Sequence, residues 1–289
     1  MEDIHIVIMA GGVGSRLYPV STPERPKQFL DLLGCGKTLI QLTYGRFLEL
    51  SPTARFWVVT SSCYIHFIRE QLPDIPEEQI LAEPEPRNTA PCIAYACWKI
   101  RKKYPSANVV VTPSDAFVPD CRAFAATMAE ALRFTSGRRA IVCIGINPTS
   151  PHTGYGYIHA GEPVEGSVCK VSEFKEKPCL EVAQGYLASG GYFWNAGIFV
   201  WSIGTIEDEL RRHAPQICGI MDSLSPALYG PEEASELARL FPCCEKISID
   251  YAVMEKSEHV HMIPGPWEWS DLGSFDAIKA ITGKDPRDF

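Results

Sequence analysis

No apolar run in the 289-residue sequence approaches the roughly 18 residues a membrane-spanning helix requires, so a helical membrane partnership is not expected. Nor is there a CxxC pair. The 11 cysteines are odd in number and scattered from Cys35 to Cys244, which indicates neither a disulfide framework nor a zinc ribbon. They read as mostly reduced, small core residues. Base is short relative to acid: 27 Lys plus Arg against 35 Asp plus Glu leave a net charge of −8. That balance argues against a nucleic-acid-binding surface, and any phosphate must be held locally. Internal repeats and low-complexity linkers are absent. The opening residues MEDIHIVIMAGG carry two acids where a secretory signal carries base, so a cytoplasmic location is expected. What is present, 46% hydrophobic and 21% charged residues with 22 Gly and 23 Pro, is globular. At roughly 100 to 200 residues per domain, the length allows one large domain or two small ones.

The run His5 to Ala10 is short, β-branched and bounded by glycine, as a buried parallel strand should be. Similar runs follow at Phe56 to Thr60, Ile80 to Ala82, Val109 to Thr112 and Ala140 to Gly145, alternating with helical stretches such as Tyr64 to Gln71 and Thr89 to Lys103. This is βαβ rhythm, and it predicts an α/β fold with a Rossmann-like, doubly wound mixed sheet, mainly parallel, whose second half is the mixed part, and a ligand at the carboxyl ends of the strands. After about Pro148 the rhythm changes. GYGYIHA, VCKVSEF and GYFWNAGIFVW read as strands, and helices are predicted at Ile203 to Ala214, Pro231 to Leu240, Ile249 to Lys256 and Gly273 to Thr282, with a strand near Val260 to Ile263. One continuous domain over 1–289 is the simpler reading, with halves of about 1–147 and about 148–289.

The densest chemistry lies in AGGVGSRLYPVSTPERPKQF, from Ala10 to Phe29, directly after the first strand. Gly11, Gly12 and Gly14 can expose successive backbone N–H groups to an anion, and Arg16 and Lys27 add charge. Three other readings are weaker. A dinucleotide fingerprint needs glycine where Leu17 stands. GCGKT at Gly34 to Thr38 mimics the end of a P-loop, but its first glycine would fall on Asp31 and no strand leads into it. A plain tight turn leaves the clustering of three glycines with Arg16 and Lys27 unexplained.

The loop resembles the signature of the sugar nucleotidyltransferases, and its ending PKQF resembles in particular that of the mannose-1-phosphate guanylyltransferases. Other landmarks of that family appear in order: EPEPRNTAPCIA from Glu83, PSD at Pro113 to Asp115, GYGYI at Gly154 to Ile158, FKEKP at Phe174 to Pro178, WNAGIFVW from Trp194, SIDYAVMEK from Ser248 and WSDLGSF from Trp269. The resemblance covers about Ile4 to about Thr282. It implies a nucleotide-diphospho-sugar transferase (GT-A-like) fold whose first half binds nucleotide and whose second binds sugar phosphate. The implied reaction joins GTP and mannose 1-phosphate into GDP-mannose and pyrophosphate.

The same resemblance implies the site. Asp115 and Asp271 would bind Mg²⁺, Arg16 and Lys27 the β and γ phosphates, and Lys177 the attacking phosphate. Gly11, Gly12, Gly14, Ser15, Glu83, Asn88, Thr89 and Ser114 would contact the nucleotide, and Gly156, Glu176 and Asn195 the hexose. Taken singly, the polar residues have plainer readings: caps or turns for Asp115, Asp271, Asn88 and Thr89, solvent-facing strand positions for Glu176 and Asn195, and packing for Tyr192 to Trp194. Two departures stand out. Lys175 replaces a common Val, and on an alternating strand it would share a face with Lys177. Ala116 replaces a usual His, so that position supplies neither a ligand nor a base. Rival readings are the same chemistry on another sugar 1-phosphate, such as a heptose, or on another base, and a non-catalytic nucleotide-sugar sensor. The sequence, ending at Phe289, is expected to carry a single activity, with a homodimer as a family-level expectation.

Overall fold

The computed structural model describes residues 3–288. Nine strands form one sheet in the order β3-β2-β1-β4-β8-β5-β9-β7-β6. Strands β1 (Ile4–Met9), β2 (Arg55–Ser61), β3 (Ile80–Glu83) and β4 (Asn108–Pro113) run parallel. Each is short and apolar because both faces are covered. Ile6 and Ile8 belong to the same buried apolar cluster as Phe47 of α1 (Leu39–Leu50) and Phe124 of α4 (Cys121–Thr135), while Val7 belongs to another that contains Ile93 of α3 (Thr89–Lys103). The strand period of two thus sends alternate residues into two separate apolar layers. Full burial of each such side chain contributes about 1.5–3 kcal/mol.

The second half mixes directions. Strand β8 (Tyr192–Ser202) enters antiparallel between β4 and β5 (Ile141–Ile146), β5 pairs parallel with β9 (Val260–Gly265), and β6 (Tyr157–Glu165) and β7 (Val168–Lys175) form a hairpin. Five of the nine pairings are antiparallel, all of them involving second-half strands, which is the mixed sheet that the sequence predicts. Two predicted elements differ where it matters. The GYGYIHA strand starts only at Tyr157, which leaves Gly154 to Gly156 in a loop. The segment predicted as a helix from Ile249 contains a π-helical turn, Asp250–Met254.

All 11 cysteines are free, but only Cys92, Cys97, Cys143, Cys218 and Cys244 are buried, so the core reading fits fewer than half of them. No helix among the described residues is long and apolar enough to cross a membrane.

Candidate active site

The glycine loop leaves β1 at its carboxyl end, where parallel strands open their ligand crevice. Gly14 adopts φ 75, and a Cβ there would lie 2.5 Å from Lys27 Cβ, so both backbone and space demand glycine. A Cβ on Gly12 would meet nothing within 4 Å. Beneath the loop, buried Gln28 donates from Nε2 to the carbonyls of Ala10 at 2.9 Å and Gly12 at 2.8 Å. Those carbonyls are thereby turned into the protein. Gln28 was not singled out from the sequence, although it stands inside the PKQF signal.

Lys27 is 4% exposed. Its Nζ donates to Asp115 Oδ2 at 2.8 Å and to the Asp271 carbonyl, so one ammonium spans the two carboxylate-bearing loops. A two-way backbone pairing of Phe117 with Ser270, at 2.9 and 3.2 Å, fastens the same loops together. Asp115 and Asp271, remote in sequence, therefore converge. Arg16 reaches Asp271 Oδ2 at 3.1 Å, while Oδ1 accepts from the Tyr155 hydroxyl at 2.8 Å and the Gly273 amide at 2.9 Å. Burial pushes the Asp271 carboxyl upward, but the Tyr155 bond and the Lys27 and Arg16 charges outweigh it and hold the group below its ordinary value.

Two cavities adjoin this cluster. The first, of about 370 Å³, has Gly11, Gly12 and Gly14 along one side, Glu83 with Asn88 and Thr89 along another, and Ser114 and Asp115 at the end of β4. Glu83, closing β3, is 7% exposed, and its Oε1 has no hydrogen-bond partner among the described residues. Burial pushes its carboxyl up to about 8. Asn88 caps α3 through its Oδ1, which accepts from the Thr89 amide at 2.8 Å. Thr89 Oγ1 accepts from the Ile249 amide at 2.9 Å and so ties α3 to the π-helical turn.

The second cavity, of about 220 Å³, is lined by Gly156, Glu176, Lys177, Asn195 and Asp271, and also by Asp250. A Cβ on Gly156 would sit 2.6 Å from Glu176 Oε2, so this glycine makes room for a carboxylate. Strand β7 ends at Lys175, and Lys177 takes φ 46, which breaks the alternation that would have put both lysines on one face. Lys177 lines the cavity and bonds Glu176; Lys175, opposite Tyr157 in the hairpin, does not line it. Burial lowers the Lys177 ammonium, but the Glu176 bond and the Asp250 charge more than reverse this and raise it. Ala116 also lines this cavity, so no imidazole enters from that position.

Met9, Thr89, Pro113 and Asp115 line both cavities, which makes Asp115 part of their common wall. Ser15, Arg16 and Lys27 line neither. Ser15 is exposed in a 3-10 turn, Arg16 sits at the rim on Asp271, and Lys27 lies beneath on both loops. Asp250 and Tyr155 escaped the sequence reading, although SIDYAVMEK and GYGYI contain them. GCGKT forms an irregular lead into α1, where Thr38 and Gln41 make a capping box.

The nucleotidyl transferase family model matches residues 5–287. Mannose-1-phosphate guanylyltransferase from Escherichia coli (strain K12) is 35% identical over 293 residues, covering 97% of this chain and 60% of the relative. Xanthan biosynthesis protein XanB from Xanthomonas campestris pv. campestris is 37% identical, covering 99% of this chain and 61% of that protein. The chain thus spans about three fifths of the length of these curated relatives. A crystal structure described as mannose-1-phosphate geranyltransferase from Thermus thermophilus superposes with a TM-score of 0.87 at 33% identity, over 98% of this chain and 80% of that one. With a mixed α/β sheet, adjoining cavities at the carboxyl ends of its parallel strands and these relatives, the chain belongs to the nucleotidyl transferase family and has the sugar nucleotidyltransferase fold.

Proposed function

We propose that the protein transfers GMP from GTP to mannose 1-phosphate, giving GDP-mannose and pyrophosphate. The observation that carries this reading is the common wall: a cavity beside the glycine loop and a smaller one lined by Lys177, Glu176, Asp250 and Asp271 meet at Asp115. A phosphate oxygen of the sugar phosphate attacks the α-phosphorus of GTP. The new P–O bond forms as the bond to the β-bridging oxygen breaks, and that electron pair leaves with pyrophosphate. Lys177 steadies the attacking phosphate. Arg16, whose side chain is 64% exposed, presents its guanidinium to the departing anion. Lys27 acts by holding the Asp115 and Asp271 loops in register.

Guanine is favoured by Glu83. Burial favours the neutral form of this carboxyl in the free protein, and two adjacent donors would draw it into the ionised form that accepts both; among the common bases guanine alone presents N1–H beside an exocyclic amino group on its pairing edge. The names of the relatives agree with the choice of base and sugar.

A divalent cation fits the donor set. Asp115 and Asp271 offer hard oxygen ligands, and Mg²⁺ is characteristically held by one or two carboxylates together with phosphate and water. No group of three or more His, Cys, Asp or Glu among the described residues is arranged to hold a metal. When bound, the ion neutralises and orients the triphosphate. The continuous sheet supports reading 1–289 as one catalytic domain.

Pyrophosphate release tests the proposal across GTP, ATP, UTP and dTTP, each with mannose, glucose and heptose 1-phosphates. GTP with mannose 1-phosphate should exceed the other pairs by at least ~10-fold in kcat/KM. Equal rates with all four nucleotides would overturn the base assignment, and GDP-mannose binding without turnover would favour a sensor.

A further inference from the structure

The second cavity contains a carboxylate to which the reaction above gives no task. Asp250 opens the π-helical turn and lines the cavity with Glu176 and Lys177. Turns of this kind widen a helix locally and often mark functional positions. The turn is fixed from outside: Thr89 Oγ1 holds the Ile249 amide at 2.9 Å, and the Ala90 amide donates to the Ile247 carbonyl at 3.1 Å.

Asn195 bears directly on Asp250. Its Oδ1 accepts from the Gly197 amide at 3.0 Å, which settles which way the side-chain amide faces. Its Nδ2 then donates to Asp250 Oδ1 at 3.0 Å. Asn195, expected to grip a hexose hydroxyl itself, is engaged at both ends within the protein, and its bond aims the Asp250 carboxylate. Glu176 is positioned by a different device, its own amide donating to Glu255 Oε1 at 3.0 Å. Two separately braced carboxylates therefore line one small cavity, with Lys177 beside them. A hexose 1-phosphate matches that set: an anion for the lysine, and ring hydroxyl donors for the acceptors.

We infer that Asp250 is a specificity-determining residue that accepts a hydrogen bond from a hexose hydroxyl, with Asn195 as its positioning residue. The inference rests on the proposed use of this cavity for sugar phosphate.

The test compares wild-type protein with Asp250→Asn and Asn195→Ala, using mannose 1-phosphate and its 2-, 3-, 4- and 6-deoxy analogues, with GTP affinity measured by titration as a control for folding. Asp250→Asn should lower kcat/KM for mannose 1-phosphate by roughly 100-fold while GTP affinity stays within about threefold. One deoxy analogue, penalised by roughly 100-fold in wild type, should lose nearly all of that penalty in the variant, because the acceptor it fails to satisfy has gone. Asn195→Ala should erode the same penalty, and no other. Unchanged penalties for all four analogues in Asp250→Asn, or equal losses toward GTP and the sugar phosphate, would overturn the inference while leaving the proposed function standing. A wild-type protein that releases no pyrophosphate with any hexose 1-phosphate would overturn both.

Discussion

The two cavities that meet at Asp115 are built on opposite plans. On the first-half side the walls include a glycine loop tied down by Gln28, the capped start of α3, and Glu83, whose Oε1 has no hydrogen-bond partner among the described residues. On the second-half side they are interlocked side chains, in which Lys177 bonds Glu176, Asn195 bonds Asp250, and Glu255 holds the Glu176 amide. A backbone loop is fixed by the fold and changes little when one side chain is altered. A side-chain network shares its strain, so the effects of single substitutions there should spread and fail to add.

The largest expected effect breaks the wall common to both. Asp115→Asn or Asp271→Asn should slow pyrophosphate release by at least ~1,000-fold, read with both substrates saturating. Near-normal rates in either variant would remove that residue from the reaction. Next comes Glu83, which lines the first cavity but not the second. Glu83→Gln should lower kcat/KM for GTP by roughly 100-fold and leave that for ATP almost unchanged, since an amide donor now faces the guanine N–H groups.

The same residue sharpens the contrast through pH. Its folded value of about 8 lies above the ordinary carboxyl value of 4.5, so the folded protein binds this proton more tightly than the unfolded chain. The stabilising contribution is complete below about 4.5 and fades as pH rises through 8. Thermal melting of Glu83→Gln relative to wild type should therefore rise by about 4 °C or more between pH 5 and pH 9, whereas parallel melting curves would contradict the burial argument. The smallest effect is expected at Lys175, outside the second cavity. Lys175→Ala should change kcat/KM for the sugar phosphate by less than ~2-fold, while Lys177→Ala should cost at least ~100-fold; reversed results would exchange their places.

Much of this contrast was legible in the sequence, and the gaps have physical causes. Short apolar runs located β1 to β5, and α3 begins and ends where its pattern predicts, at Thr89 and Lys103. Strand direction left no such mark. An apolar strand covered on both faces reads alike in either orientation, so the antiparallel entry of β8 between β4 and β5 was invisible. The glycine loop and the two aspartates were found because their residue types serve phosphate chemistry directly. Asp250 was missed because a π turn and an α turn have nearly the same apolar spacing, and only the backbone reveals which carboxylate the widened turn directs inward. Lys177 was ambiguous for a related reason: its positive φ ends the alternation at a residue that is not glycine. The burial of Lys27 under two loops depends on contacts far apart in the chain, which no local pattern encodes.

The most direct measurement is a crystal structure of the protein with GDP-mannose bound. Guanine should lie with its N1–H and amino group on Glu83, the diphosphate should pass Asp115, and the hexose should sit against Glu176 and Asp250. A guanine lying away from Glu83, or a hexose outside the smaller cavity, would contradict these assignments.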